Sequence, residues 1–170
     1  EYVFPIHAHM KRLMMEDFEL PETGVQGQSF YTMVTVRPED LTEKQRIPHY
    51  DIPNRQNIAM IHFLCPNTFG GTSFYRHVAT GYECIDEPRV EEFSSILGGQ
   101  VQRRGAPEPA YMNGDTELFQ QIASYGAEFN RALIYRSSSL HSGDIPPDYA
   151  LDPDPRSGRL TITSFFKTGT

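Results

Sequence analysis

The stretch RIPHYDIPNRQNIAMIHFLCPNTFGGTSFYRH, residues 46–77, contains two apolar runs separated by turn-forming residues. The runs at 57–64 and 72–78 are rich in β-branched and aromatic residues, a composition that predicts β-strands. The Gly-Gly pair at 70–71 marks a turn before the second run. This stretch therefore predicts a fold built on short strands.

The rest of the chain adds more strand patterns than helix patterns. Similar β-type runs occur at 29–36, 131–138 and 159–166. Helical patterns occur at 38–44, 89–97 and 115–129, the last because Leu118, Ile122, Tyr125 and Phe129 recur at helical spacing. Glycines, prolines and polar residues predict loops at 98–109 and 142–158. Together these patterns predict a mainly β fold with supporting helices, either a β-sandwich or a jelly roll.

Composition narrows the class of protein. A chain of 170 residues with 38% hydrophobic residues is expected to form a single domain, residues 1–170, with core strands over about 29–166. A net charge of −7 argues against a nucleic-acid partner, and no apolar run is long enough for a membrane span. Two cysteines without Cys-x-x-Cys spacing favour reduced thiols in a cytoplasmic protein. The sequence leaves open whether the chain forms a homodimer.

His49 and Asp51 lie two residues apart at the start of the quoted stretch. In a strand, such residues project from the same face, so an imidazole and a carboxylate would point at one spot. An iron site with two histidines and one carboxylate needs a second imidazole. His141, which follows a β-type run and precedes Ser142-Gly143, is a candidate. On spacing alone, a solvated strand end between two prolines is favoured over a metal site for His49 and Asp51.

Arg159 opens the last β-type run, GRLTITSFF. Thr161 shares its face by alternation. A guanidinium fork with a hydroxyl beside it can bind both oxygens of a carboxylate. The alternative for an isolated arginine is a surface charge. The sequence likewise leaves open whether Tyr75, Arg76 and His77 line a substrate pocket or have a structural role.

Four elements in this order carry a resemblance to a known family: PHYD, IAMIHFLCPNTFGGTSFYRH, LIYRSSSLHSG and GRLTITSFF. The chain resembles the Fe(II)/2-oxoglutarate-dependent dioxygenases, specifically the prolyl-4-hydroxylase-like group, and looks similar to a bacterial branch of it. The resemblance implies a double-stranded β-helix, a cupin-like jelly roll. The chain departs from the family pattern because its segment between His141 and Arg159 is longer. The tyrosine that relatives place before His-x-Asp is also not evident; Tyr31, Thr35 and Arg37 occupy that region.

The resemblance also implies residue roles. His49, Asp51 and His141 would be the iron ligands, Arg159 and Thr161 would bind the C5 carboxylate of 2-oxoglutarate, and Ser73 would add a hydrogen bond. The implied cofactors are Fe(II), 2-oxoglutarate and O2, with ascorbate as reductant. The implied activity is hydroxylation of a C–H bond in an amino acid, a peptide or a small metabolite, with release of succinate and CO2. The alternative is a catalytically silent cupin-like module that binds a metal and a small organic acid as a sensor or interaction domain.

Overall fold

The structure is a computed structural model that describes residues 3–20 and 25–168. These residues form two α-helices and seven β-strands. The helices are α1 (Val3–Glu16) and α2 (Val90–Arg104). The strands are β1 (Val25–Met33), β2 (Asn57–Phe63), β3 (Gly71–His77), β4 (Phe119–Gly126), β5 (Ala132–Arg136), β6 (His141–Asp144) and β7 (Leu160–Thr168).

The strands form two antiparallel sheets. The first sheet has the order β1-β7-β2-β5 and the second has the order β4-β3-β6. An isolated bridge between His49 and His141 adds one further position to the second sheet, next to β6. The predicted mainly β fold with few helices is confirmed, and the two sheets are compatible with a β-sandwich.

Each helix packs against one sheet. The Met10 and Met14 side chains of α1 form a buried cluster with Ile58, Met60 and Phe166 of the first sheet. On the second sheet, Phe93 of α2 is buried in a cluster with Tyr75 and Phe119. The opposite faces of the sheets approach each other, since the Phe74 and Tyr135 ring centroids are 5.1 Å apart. His141 lies beside both rings, in this space between the sheets.

Most predicted elements are confirmed, with boundary shifts of a few residues. All five predicted strands are present, and the predicted helix at 89–97 is α2. The predicted helix at 38–44 is instead two short 3-10 turns, Pro38–Asp40 and Glu43–Arg46. The predicted loop at 98–109 is wrong as far as Arg104, because α2 continues through Gly98 and Gly99. The helix ends at Gly105, whose φ of 91° suits glycine.

The predicted helix at 115–129 is wrong, because β4 occupies most of it. β4 pairs with β3, and Ser124 lies opposite Ser73. Asp115 does not cap a helix; its carboxylate accepts the Gln121 N–H at 2.7 Å. The pairing partner is distant in sequence, so tertiary contacts override the local helical spacing. β6 likewise occupies the first residues of the predicted loop at 142–158.

His77 has a structural role in the core. Its side chain is fully buried, with Nδ1 2.9 Å from Thr80 Oγ1 and Nε2 2.8 Å from Gln100 Oε1. Its ring also packs edge-on against Phe93, with centroids 5.2 Å apart. His77 therefore ties β3 to α2. Nearby, Tyr75 is buried in the same core, and Arg76 is paired with Glu83 outside it.

The burial of His77 predicts a pH dependence of stability. Burial lowers the pKa of His77 below its ordinary 6.5, so only the unfolded chain binds a proton there as the pH falls. We expect H77Q to be less stable than wild type by about 1–2 kcal/mol at pH 8. The difference in unfolding free energy should narrow as the pH falls through 6.5. Wild type then loses stability because its unfolded chain binds a proton at His77, whereas glutamine does not titrate. Urea unfolding at pH 8 and pH 5 measures this difference; a constant difference contradicts the assignment.

Two further properties of the described residues relate to the predictions of reduced thiols and of no membrane span. Cys65 and Cys84 are both free thiols, and Cys65 is buried. Neither helix combines the length and the apolar character needed to span a membrane.

Candidate metal centre

Backbone hydrogen bonds bring the three predicted metal ligands together. His49 and His141 exchange both of their N–H···O=C bonds at 2.9 Å. The Asp51 N–H donates to the Ser137 carbonyl oxygen at 2.9 Å. The segment before β2 is therefore bonded to the connection between β5 and β6, and the side chains of all three residues converge.

The Asp51 carboxylate lies between the two imidazoles. Asp51 Oδ1 is 3.9 Å from His49 Nε2, and Asp51 Oδ2 is 3.7 Å from His141 Nε2. One ligand atom from each residue lies within 4.8 Å of the others, a spacing that could hold one metal ion. The side chain of His141 is only 8% exposed and that of Asp51 19%, whereas that of His49 is 49% exposed. The cluster is therefore open to solvent on the His49 side.

Neighbouring groups orient the imidazoles. His141 Nδ1 lies 2.9 Å from the Ser139 carbonyl oxygen, which can only accept. The proton is therefore on Nδ1, and the Nε2 lone pair points toward Asp51. Burial lowers the pKa of His141, and burial together with the nearby His141 lowers the pKa of His49 to about 4. Both imidazoles are thus neutral near pH 7, the form that binds a metal.

The charge of Asp51 is unfavourable in this setting without a cation. Burial raises the pKa of its carboxyl group, and the lowering effect of His49 is smaller. A metal ion at the centre would remove this penalty by supplying the opposite charge.

A cavity of about 510 Å³ adjoins His49 of the metal centre. We call it the basic cavity, because its lining includes Lys44, His49 and Arg159. None of the described residues that line it is acidic. Its volume is typical of a small-molecule site. In a chain with a net charge of −7, this lining favours an anionic ligand.

Arg159 is the buried cation of this cavity. Its side chain donates from Nε to the Phe69 carbonyl at 2.9 Å and from Nη2 to the Gly71 carbonyl at 2.8 Å. The residue is only 4% exposed, and burial lowers the pKa of its guanidinium. No ion pair joins it to a carboxylate within the part of the chain that the structure describes. Asp144 is near enough to act on it electrostatically, but a buried cation without an ion-paired carboxylate is costly, so the site favours an anionic ligand.

Thr161 and Ser73, the other two predicted cosubstrate residues, do not line the basic cavity. The Thr161 hydroxyl is 2.7 Å from the Thr32 hydroxyl on β1. Ser73 donates to Asp144 Oδ2 at 3.0 Å and accepts from Gln121 Nε2 at 3.0 Å. Both hydroxyls therefore have partners within the sheets, and their cosubstrate roles stay predictions.

Thr72 also does not line the basic cavity, but its unpaired hydroxyl makes it a candidate that the sequence motif did not identify. It lies opposite Gly143, two positions from the Phe74–His141 pair, so it faces the space between the sheets. Its hydroxyl is buried and has no hydrogen-bond partner among the described residues. An orphaned buried hydroxyl calls for an explanation such as an absent ligand. The residue before it, Gly71, accepts a hydrogen bond from Arg159.

Two tyrosines near Arg159 were also not predicted. Tyr149 accepts the Arg159 backbone N–H at 2.7 Å. Tyr111 lines the basic cavity and donates to the Val36 carbonyl at 2.7 Å. Both come from segments without a strand or helix pattern, so no periodic signal could have found them. Among the residues before His49 that were candidates for a second 2-oxoglutarate anchor, Thr35 lines the basic cavity, whereas Tyr31 is 71% exposed.

Comparison with known proteins identifies a family. The sequence profile of a family of unknown function, DUF6445, matches residues 1–166. The chain belongs to the DUF6445 family. Neither a curated protein nor a solved structure matches this DUF6445 chain. The family membership covers nearly the whole chain and assigns no activity to it.

Proposed function

We propose that this chain is a non-haem Fe(II)- and 2-oxoglutarate-dependent dioxygenase that hydroxylates a C–H bond of an amino acid, a peptide or a small metabolite. One observation carries the proposal. The buried and unpaired Arg159 opens onto the same cavity as His49, which belongs to the His-Asp-His cluster. A ligand with one end on the metal and a carboxylate at the other end fits this arrangement.

The donor set fits Fe(II). Two imidazole nitrogens and one carboxylate leave coordination positions open, the pattern of non-haem Fe(II) oxygenases. The Ser139 carbonyl fixes the His141 tautomer, as a supporting partner of a metal ligand does. When bound, iron with 2-oxoglutarate and O2 supplies the oxidising power for C–H hydroxylation and releases succinate and CO2. His49, Asp51 and His141 would hold the iron.

The residues around the iron ligands have separate tasks in this proposal. Arg159 binds the distal carboxylate of 2-oxoglutarate through the guanidinium N–H groups that do not donate to the Phe69 and Gly71 carbonyls, and so orients the cosubstrate. Lys44, exposed at the same cavity, attracts the anion. The Tyr135 and Phe74 rings, with centroids 4.8 and 6.3 Å from that of His141, exclude water from the buried side.

The strand order supports the double-stranded β-helix as the finer description of the fold. A jelly roll has eight strands in two sheets. The first sheet has four strands, and the second has three strands plus the segment around His49 that pairs with β6. Counting that segment as an eighth strand gives two sheets of four. The iron ligands then lie on two neighbouring strands of the second sheet.

Conversion of 2-oxoglutarate to succinate tests the proposal. Purified protein with Fe(II), ascorbate and O2 should form succinate slowly even without a substrate, and H49A should not. His9→Ala is the matched control, because His9 is an exposed histidine on α1. Binding of 2-oxoglutarate without any succinate would favour the catalytically silent module. Absence of both binding and succinate contradicts the proposal.

Thr72 and Ser73 give a sharper test of the cosubstrate pocket. T72V removes a buried hydroxyl without a partner, so we expect unchanged or higher stability. If this hydroxyl contacts the cosubstrate, the affinity for 2-oxoglutarate should fall by roughly fivefold to tenfold. S73A breaks bonds to Asp144 and Gln121 and should lower stability by about 1 kcal/mol while sparing affinity. Calorimetry measures the affinity of each variant for 2-oxoglutarate, and thermal unfolding measures its stability. A loss of affinity in S73A but not in T72V would support the motif-based role of Ser73.

A further inference from the structure

A second cavity of about 500 Å³ lies between β4 and β5. These are the edge strands of the two sheets, so the space between the sheets opens to solvent there. We call this cavity the apolar cleft. Most of its side chains are apolar or aromatic: Phe74, Ile122, Tyr125, Leu133, Ile134 and Tyr135. Ile122 and Tyr125 are 39% and 47% exposed, so apolar surface faces solvent.

The apolar cleft shares a wall with the metal centre. Its residues Tyr135 and Phe74 both contact the His141 ring, with centroid distances of 4.8 and 6.3 Å. A group bound in the cleft would therefore be separated from His141 by the Tyr135 and Phe74 rings.

The two cavities differ in charge. The basic cavity carries Lys44 and Arg159. In the apolar cleft the only charged residue among the lining residues described is Glu83, and it is paired with Arg76. Cys84 and Ser139 are close to each other, with Sγ and Oγ 3.7 Å apart. The cleft thus offers apolar contact and no unpaired charge, which excludes an ionic group as its preferred occupant.

We propose that the apolar cleft is the subsite that anchors an uncharged hydrophobic group of the substrate, a branched aliphatic or aromatic moiety. That this occupant is a substrate rests on the proposed function; binding of the hydrophobic group does not. The basic cavity then holds the anionic cosubstrate, and the metal centre lies between the two. In this arrangement, the cosubstrate and the hydrophobic group of the substrate bind at different edges of the sandwich.

Fluorine NMR with 4-fluorotoluene tests the cleft directly in metal-free protein. Wild type should bind the probe saturably. A123F fills the cleft, because Ala123 lines it opposite Phe74, and should weaken binding by roughly tenfold or more. I122K puts a charge at a half-exposed position that tolerates it and should do the same. Val78→Phe is the matched control, since Val78 is 55% exposed and does not line the cleft.

Three outcomes overturn the proposal: no probe binding, equal binding by wild type and I122K, or a dimer that I122K dissociates. The last outcome, measured by light scattering, would make the cleft an interface between copies of the chain.

A second measurement locates the probe relative to the metal centre. Mn(II) bound by His49, Asp51 and His141 should accelerate the 19F relaxation of the bound probe, and D51A should remove the effect. If calorimetry shows Mn(II) binding but the relaxation is unchanged, the cleft is not a substrate subsite. If Mn(II) does not bind while the probe does, the proposed function fails and the hydrophobic site stands.

Discussion

Replacing Asp51 with alanine is expected to lower the affinity for Mn(II) by roughly 100-fold or more, since loss of supporting partners alone costs 10–100-fold. Mn(II) is a redox-stable substitute for Fe(II) that suits carboxylate and imidazole ligands. Asp51 supplies the one carboxylate of the centre and lies 3.7–3.9 Å from the two imidazoles. Without it, two neutral imidazoles remain and the cation loses its only ionic partner there. Isothermal titration calorimetry measures the change.

The same variant should remain folded. Burial raises the pKa of Asp51, so its ionised form is disfavoured in the metal-free fold. Removing the carboxylate should therefore leave the thermal unfolding temperature of the metal-free protein unchanged or raise it. Asp148→Ala, at an exposed loop position, is the matched control and should bind Mn(II) like wild type. Wild-type affinity in D51A would rule out the ligand assignment.

Replacing Arg159 with methionine is expected to reduce the affinity for 2-oxoglutarate by roughly 100-fold or more, because it removes the buried half of a charge pair. Arg159 is 4% exposed, and no ion pair with a carboxylate involves it among the described residues. Metal affinity should be unchanged, since the backbone bonds that hold His49, Asp51 and His141 do not involve Arg159. Calorimetry on the Mn(II)-loaded variant separates these two effects.

Two further variants control for charge and for folding. Lys44→Met removes the exposed cation of the same cavity and should weaken 2-oxoglutarate binding by roughly tenfold at most. Arg159→Lys keeps the charge but loses the fork that reaches the Phe69 and Gly71 carbonyls, so an intermediate loss is expected. Equal losses in R159M and K44M would indicate a general charge effect rather than a specific carboxylate site.

The strands were predictable where one local pattern dominated. The runs at 57–64 and 72–78 contain few competing signals, and β2 and β3 lie there. β4 was not predictable, because Leu118, Ile122 and Tyr125 fit helical spacing and the decisive pairing with β3 is distant in sequence. α2 passes through Gly98 and Gly99, where packing of Phe93 and the His77–Gln100 bond support a helix that propensity disfavours.

The candidate site was partly predictable for similar reasons. The i, i+2 rule placed His49 and Asp51 on one face, and its position after a β-type run made His141 a candidate, but only the resemblance assigned it as the third ligand. The choice between Thr72 and Ser73 depends on which face of β3 meets the other sheet, and alternation alone cannot specify a face. Tyr111 reaches the cavity from an irregular segment, so its position follows from tertiary structure only.

Calorimetric titration of 2-oxoglutarate into metal-free and Mn(II)-loaded protein determines whether the His-Asp-His cluster and Arg159 form one site. We expect at least roughly tenfold tighter binding to the loaded protein, because one ligand then contacts both the metal and Arg159. Equal affinity with and without Mn(II), or no binding in either state, would contradict it.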